Sequence, residues 1–475
     1  MFQKLRSIPY QWVVASAFVL AIFMDILDVT IVNVSLFNIS KDFHASLPST
    51  TWIVLGYSLS LAVWIPVSGW VGDRFGTRRT FIFALCMFVL ASVLCSEAKS
   101  ISQLIAFRVF QGVGGGMLTP TGTALLFRAF PPAMRAKASA ILAIPTVLAP
   151  AAGPVLGGLL TDTVGWRWIF RVNLPIGILA LVVAVFGLKK DDVSTKRPFD
   201  LPGLVLTLLG FPALVYVLER GSEDGWLSGR ILLAGAVGVV SLVGLVWWSN
   251  RTPTPMLDLR LLRERLFGVT NLVSFVSSMA FLGVVFVLPQ FLQRVAGYSA
   301  LKSGLTTFPQ ALGVIVTSRL AGKLYVRMGP RKLMFLAYFG MAVFSIGFIL
   351  VTVHTDPWAI RILMFIRGLL LAFAFIPLQA ASYAKISPEA TGRASAIFST
   401  QRQLGGAVGV AVLSTVLAST IPQKFGASVV APELVNKYTT AFHYTFLAAA
   451  LLTFASAFLA LLVRDEDAKA TMVRR

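Results

Sequence analysis

Gly69-Trp-Val-Gly-Asp-Arg-Phe-Gly-Thr-Arg-Arg79 stands between two long apolar runs, and 253 residues later it returns as Gly322-Lys-Leu-Tyr-Val-Arg-Met-Gly-Pro-Arg-Lys332. The second copy keeps both glycines that flank the central residues, the arginine between them and the basic pair at the end. Further along, Ala138-Ser-Ala-Ile141 recurs as Ala394-Ser-Ala-Ile397 at an offset of 256. Two matches at nearly one offset indicate a duplicated half. A parallel repeat about an axis along the membrane normal is the plan of secondary transporters with a midplane site between the halves.

Composition agrees with a bilayer as the solvent. The 475 residues are 57% apolar and 13% charged, with a mean hydropathy of +0.81, whereas a soluble domain carries about a quarter charged residues. The formal charge of +21 would suggest nucleic acid in a soluble chain. Here Lys and Arg cluster in short segments between apolar runs, as topogenic loops do, so no nucleic-acid partner is implied. Cys86 and Cys95 lie about 13 Å apart along one predicted helix, on opposite faces, and cannot bridge. His44, His354 and His443 fall at or near the ends of apolar segments and form no metal spacing with them, so neither a metal nor another cofactor is expected. The first apolar run is too long for a signal-peptide core and should remain as a span.

A span needs about 20 mostly apolar residues. Fourteen are predicted, at 12-36, 50-71, 80-97, 101-128, 138-161, 168-188, 201-219, 230-249, 266-293, 303-325, 331-353, 358-385, 394-420 and 440-463. Alternate loops, with the two termini, carry 26 Lys and Arg on one side and nine on the other. The positive-inside rule then places both termini in the cytoplasm of a multi-pass inner-membrane protein. The expected organisation is an all-α membrane protein in three parts. Residues 1-190 form one six-helix bundle, 191-260 a linker with two inserted transmembrane helices, and 261-475 the second bundle. The inserted pair carries few strongly polar residues and is expected at the periphery.

Charges at bilayer depth cost at least about 2.5 to 3.5 kcal/mol each and need a partner or a cavity. Asp25 and Asp28 are three residues apart near the middle of the first span, hence on one face. Two such carboxylates do not both ionise cheaply unless a cation intervenes. Arg108, at a similar depth in the fourth span, supplies one. A pair Asp28-Arg108 leaves Asp25 as the titrating group, although the pair would equally serve to tie two helices together. The second half has no mid-span acid. Its buried polar groups are Arg319, Arg367, Gln290, Gln379, Gln401 and Arg402, so proton handling is expected in the first half.

Several motifs carry a family resemblance. Gly69 to Arg79 resembles the major facilitator loop signature, with Val71 and Thr77 in place of a Leu and a basic residue. Arg108-Val-Phe-Gln-Gly112 is similar to the helix 4 signature, and Gly153-Pro-Val-Leu-Gly-Gly158 to the antiporter signature of helix 5, with Ala149 where a Gly usually opens it. Leu27-Asp-Val-Thr-Ile-Val-Asn-Val34 and Trp166-Arg-Trp-Ile-Phe-Arg-Val-Asn-Leu-Pro-Ile-Gly177 resemble signatures of the fourteen-helix drug:proton antiporter branch, from which Ser35 and Phe37 depart. The resemblance implies a major facilitator fold and proton-coupled export of lipophilic, often cationic, small molecules.

The resemblance also implies roles for the loop and for helix 5. Gly69, Asp73, Arg74, Gly76, Arg78 and Arg79 would form a cytoplasmic switch that stabilises the outward-facing state, with an asymmetry because Val326 replaces Asp73 in the second copy. Locally the same residues need be no more than a topology signal. Gly153, Pro154, Gly157 and Gly158 would meet Gly405, Gly406 and Gly409 across the halves and seal one side, or simply pack closely.

Candidate cavity residues are Met24, Trp52, Tyr57, Trp64, Phe281 and Phe286, whose rings and thioether suit flat lipophilic cations. Gln111, Gln290, Gln379, Arg319, Gln401 and Arg402 join them as polar candidates. The expected partners are a small-molecule substrate, protons and the lipid bilayer, with the chain working as a monomer. The same fold would also suit export of a lipid, fatty acid or secreted metabolite. An enzyme is disfavoured: Gly112 to Gly116 is glycine-rich but lies inside a span, and no nucleophile elbow or phosphate loop is present.

Overall fold

The computed structural model describes residues 9–45, 47–190, 198, 200–421 and 434–472. The basic residues counted above in the N-terminus, Lys196, Arg197, Lys424, Arg474 and Arg475 lie outside them. Every regular element among the described residues is helical. The α-helices of eight or more residues are, in order, α1 (Tyr10–Asp42), α2 (Leu47–Phe75), α3 (Thr77–Ser96), α4 (Ile101–Ala129), α5 (Arg135–Thr163), α6 (Asn173–Gly187), α7 (Leu201–Asp224), α8 (Gly229–Arg251), α9 (Arg265–Gln290), α10 (Ala300–Thr307), α11 (Pro309–Ile346), α12 (Pro357–Ser382), α13 (Thr391–Thr420) and α14 (Val435–Ala460).

Twelve helical stretches among the described residues are long and apolar enough to cross a membrane. Two features account for the difference from the fourteen read in the sequence. The stretch Leu301–Leu350 is 50 residues long and contains two expected spans, broken at Gly329 (φ 78°, ψ 161°). The 29-residue α4 is not among the twelve, because Arg108, Gln111 and the glycines 112 and 114–116 dilute its apolarity. Gly329 answers Gly76 (φ 93°) between α2 and α3. Both copies of the loop motif therefore turn through a backbone conformation that only glycine adopts cheaply.

Packing repeats as the sequence does: α1 lies on α5 as α9 lies on α13, and α2 on α4 as α11 on α12. Between the halves, α2 and α4 meet α13, while α5 meets α10, α11 and α12. The inserted helix α7 packs against both α2 and α13 and α8 packs on α7, so the pair covers one seam between the halves from outside. Asp200 anchors it. This buried carboxylate caps α7 at Gly203 N (2.9 Å) and accepts from Trp248 Nε1 (2.7 Å) and Met256 N (2.8 Å).

Candidate functional site

The first-half charges assemble around Asp28. Arg108 Nη1 donates to Asp28 Oδ2, and Gln111 Nε2 (3.1 Å) and Asn173 Nδ2 (2.8 Å) donate to Oδ1. Gln111 also accepts from Arg108 Nη1 at 2.6 Å and donates to Ser92 Oγ at 2.8 Å. Arg108 Nε reaches the Ile53 carbonyl at 3.3 Å, and the guanidinium lies 4.1 Å from the centre of the Tyr57 ring. Five helices thus contribute to one sealed network, in which Asp28 and Arg108 are 0% and 1% exposed. A buried pair persists when its remaining donors and acceptors are satisfied, as Asp28 is here. Asn173 was not singled out in the sequence, although it sits inside the Trp166 to Gly177 motif. Gln111, expected in the cavity, belongs to this network instead: its place one turn after Arg108 puts it on the same face.

Asp25, one turn earlier on α1, is held differently. Tyr57 Oη donates to Oδ1 at 2.7 Å and Thr119 Oγ1 to Oδ2 at 3.4 Å. No cation is within ion-pair distance of it among the described residues. Hydroxyls can reverse, donating to a carboxylate or accepting from a carboxylic acid, so this environment tolerates either form. Room for the phenol depends on Gly115, where a Cβ would stand 2.8 Å from Asp25 Oδ1 and closer still to Tyr57 Oη.

A narrow cavity of about 10 Å³, room for about one water, is lined by Thr119, whose hydroxyl donates to Asp25. Thr119, Thr123 and Thr146 line it from the first half, Gln379, Ser399 and Arg402 from the second, with Ile22, Leu142, Phe375 and Phe398 as the apolar wall. Arg402 and Asp25 are close enough for their charges to interact. Gln379 Oε1 is buried without a hydrogen-bond partner, so the cavity presents an unfilled acceptor as well as a cation. The threonines escaped the sequence reading, and Thr119 and Thr123 at i and i+4 were the available signal.

Other expected cavity residues lie elsewhere. Tyr57 is committed to Asp25 and Arg108. Trp52 is 40% exposed and stacks on Tyr216 of the inserted α7, with centroids 6.4 Å apart. Met24 is buried against α6, with its sulfur beside Gly177. Trp64 packs on α4 at Gly116, Phe281 packs on the second-half core, and Phe286 is exposed. Arg319 is exposed on the outer stripe of Leu312, Val316 and Leu320, and its long side chain can reach the interface from there. Gln290 and Gln401 are half-buried and do not line the cavity. The helix 5 expectation is corrected too. Gly153 packs on Thr30 of α1, while Gly405 and Gly409 pack on Phe275 and Met279 of α9. Gly153, Gly405 and Gly409 are thus each used inside their own half. Gly158 has open space around it, and the contact across the halves falls at Pro154 and Val155 against Gly304.

At the basic-loop end the halves are joined. Gly69 packs on Ala396, where a Cβ would stand 3.0 Å from that side chain. Arg393, at the start of α13, sits 3.4 Å from Asp73 Oδ2 through Nε and pairs with Asp258 through Nη1. Arg128 Nε donates to the Pro388 carbonyl at 3.0 Å and its Nη1 to Thr77 at 2.7 Å, and Arg135 donates to the Tyr383 carbonyl. Arg78 holds the Val185 carbonyl at 2.6 Å within the first half, Arg79 is exposed and Arg74 is half-buried.

Two halves of repeated helices around a polar midplane are the architecture of a membrane transporter rather than an enzyme, and the chain belongs to the Major Facilitator Superfamily, whose profile matches residues 18–410. It is similar to the multidrug resistance protein B homolog of Mycobacterium tuberculosis (strain CDC 1551 / Oshkosh), with 35% identity over 85% of this chain and 75% of the relative. It is also similar to the multidrug export protein EmrB of Escherichia coli K12, with 32% identity over 83% of this chain and 78% of the relative. The solved structure of the human organic anion transporter MFSD10 (TETRAN) shares the fold, with a TM-score of 0.64, 15% identity and coverage of 95% of this chain and 100% of that one.

Proposed function

We propose that the chain is a proton-coupled antiporter of the cytoplasmic membrane, exporting lipophilic, often cationic, small molecules by alternating access. It would act as a monomer of the fourteen-helix branch with both termini in the cytoplasm, built as bundles 1-190 and 261-475 with the inserted pair in 191-260. The names of the multidrug relatives support the substrate class.

One observation carries the coupling. Two carboxylates share one face of α1, yet Asp28 is saturated by donors while Asp25 has only hydroxyl partners, one of which, Thr119, lines the cavity shared by both halves. Asp25 is therefore the proton group. Deprotonated toward the cytoplasm it accepts the substrate, and protonation from outside favours release. The membrane potential contributes about 2.3 kcal/mol per charge per 100 mV.

The test is substrate-induced proton release from purified protein. Asp25→Asn is expected to abolish release and to stop pumping against a gradient. Release retained in Asp25→Asn but lost in Asp28→Asn would reverse the two roles.

A second reading, export of a lipid, fatty acid or secreted metabolite, is favoured by Arg402. Its cationic group in the cavity suits an acidic headgroup better than a second cation. Competition assays with lipophilic cations and lipophilic acids separate the two readings.

A further inference from the structure

We propose that residues 464–472, beyond the last helix, are a strap that holds the cytoplasmic seam closed, with Asp465 supplying the acid that the second copy of the loop motif lacks. The proposal rests on the orientation and alternating access given above, and concerns how the second half is latched.

The first copy uses Asp73 to reach Arg393 across the seam, but Val326 occupies that position in the second. An acid arrives there from outside the repeat. Asp465 Oδ1 accepts from Arg331 N at 2.9 Å, just after the break at Gly329. Arg331 N belongs to the first turn of the helical run that restarts after the break, where backbone donors lack partners and a carboxylate is favoured. The fit depends on the motif glycine, because a Cβ on Gly329 would stand 2.6 Å from Asp465 Oδ1.

The rest of the segment is fastened along its length. Val463 and Ala468 are buried in the second-half core, where Met472 also packs. Thr471 is hydrogen-bonded to Tyr325 at 2.5 Å. Lys385 Nζ donates to Asp467 at 2.5 Å and lies 3.8 Å from Glu264. The 3₁₀ turn Asp465–Thr471 also packs on Pro132–Met134, the turn between α4 and α5 of the first half. A segment rooted in one half and seated on the other must lose contacts when the cytoplasmic side opens, so it stabilises the closed arrangement. The duplicated motif is thus latched twice by different means, once across the seam by Asp73 and once through the tail by Asp465.

The test uses full-length protein with Cys86→Ser and Cys95→Ala, carrying Thr146→Cys as a reporter in the cavity. In inside-out vesicles, Asp465→Ala should raise the rate of labelling by an impermeant maleimide about three- to tenfold, as expected for loss of one solvent-exposed hydrogen bond. Truncation after Val463 should raise it at least as much. In a second variant, Ala133→Cys with Ala470→Cys, oxidative cross-linking should stop transport and reductant should restore it. This arm needs no destabilising deletion. Labelling unchanged in Asp465→Ala, or wild-type transport by the cross-linked protein, overturns the strap. Loss of substrate-induced proton release in Asp25→Asn is read separately, so failure of the strap and failure of the proton assignment are distinguishable.

Discussion

Tyr57 donates its phenolic proton to Asp25 Oδ1 at 2.7 Å while the face of the same ring lies 4.1 Å from the Arg108 guanidinium. One side chain therefore touches both the acid assigned to the proton and the ion pair beneath it. Tyr57→Phe removes the hydrogen bond and keeps the ring over Arg108. Exchange is expected to slow about ten- to hundredfold with folded yield unchanged, because a hydrogen bond to a charged group is worth about 1.5–3 kcal/mol. Gly115→Ala should act alike by displacing the phenol, since its Cβ would crowd both Tyr57 Oη and Asp25. Substrate-driven proton uptake in proteoliposomes reads both variants. Wild-type exchange in Tyr57→Phe would remove Tyr57 from the coupling site.

Arg108→Ala leaves Asp28 buried with only Gln111 and Asn173 as partners. Breaking a buried pair by removing one member destabilises by about 3–5 kcal/mol. Transport should be lost, with a reduced fraction of folded protein. The double variant Asp28→Asn with Arg108→Gln should recover much of the thermal stability without recovering transport. Size-exclusion chromatography after heating, run beside efflux assays, checks both outcomes.

Asp73→Asn weakens the link to Arg393, which keeps Asp258 as its other partner. The population should move toward the inward-open arrangement, by about threefold, in line with a partly exposed ion pair worth about 1 kcal/mol or less. Cysteine accessibility at paired cytoplasmic positions measures it. Unchanged labelling together with unchanged transport would leave Asp73 as part of a topology signal only.

At the opposite end, Trp166 Nε1 (2.9 Å) and Arg167 Nη1 (3.0 Å) donate to Asp42 Oδ2. The Trp166 hydrogen bond, followed by Arg167, holds this carboxyl below its usual range. A lowered folded value contributes stability above the unfolded value and loses it as pH falls through the folded one. Asp42→Asn should therefore lower thermal stability slightly at pH 7, by no more than about 1 kcal/mol because the pair is half exposed. The difference from wild type should vanish in acid below the ordinary carboxylate range of about 3.9. Melting curves from pH 7 down to pH 3 test this.

Much of the architecture was legible in the chain because a bilayer leaves few options. Apolar length, the duplicated Gly76 and Gly329 turns and the side-to-side bias of Lys and Arg each follow from local chemistry and survive any packing. The similar depths of Asp28 and Arg108 could be read the same way, since helical rise is uniform. Which side chain meets which could not, because facing depends on helix rotation and on neighbours hundreds of residues away. Tertiary packing turned Tyr57 and Gln111 from cavity candidates into members of the charge network, brought Asn173 to Asp28 across 145 positions, and set Trp52 against Tyr216. It also packed Gly153, Gly405 and Gly409 inside their own halves and carried Asp465 from the tail to the loop whose sequence lacked an acid. Sequence by itself determined the helices, their repeat and the charges that need partners, whereas only the folded arrangement decided who those partners are.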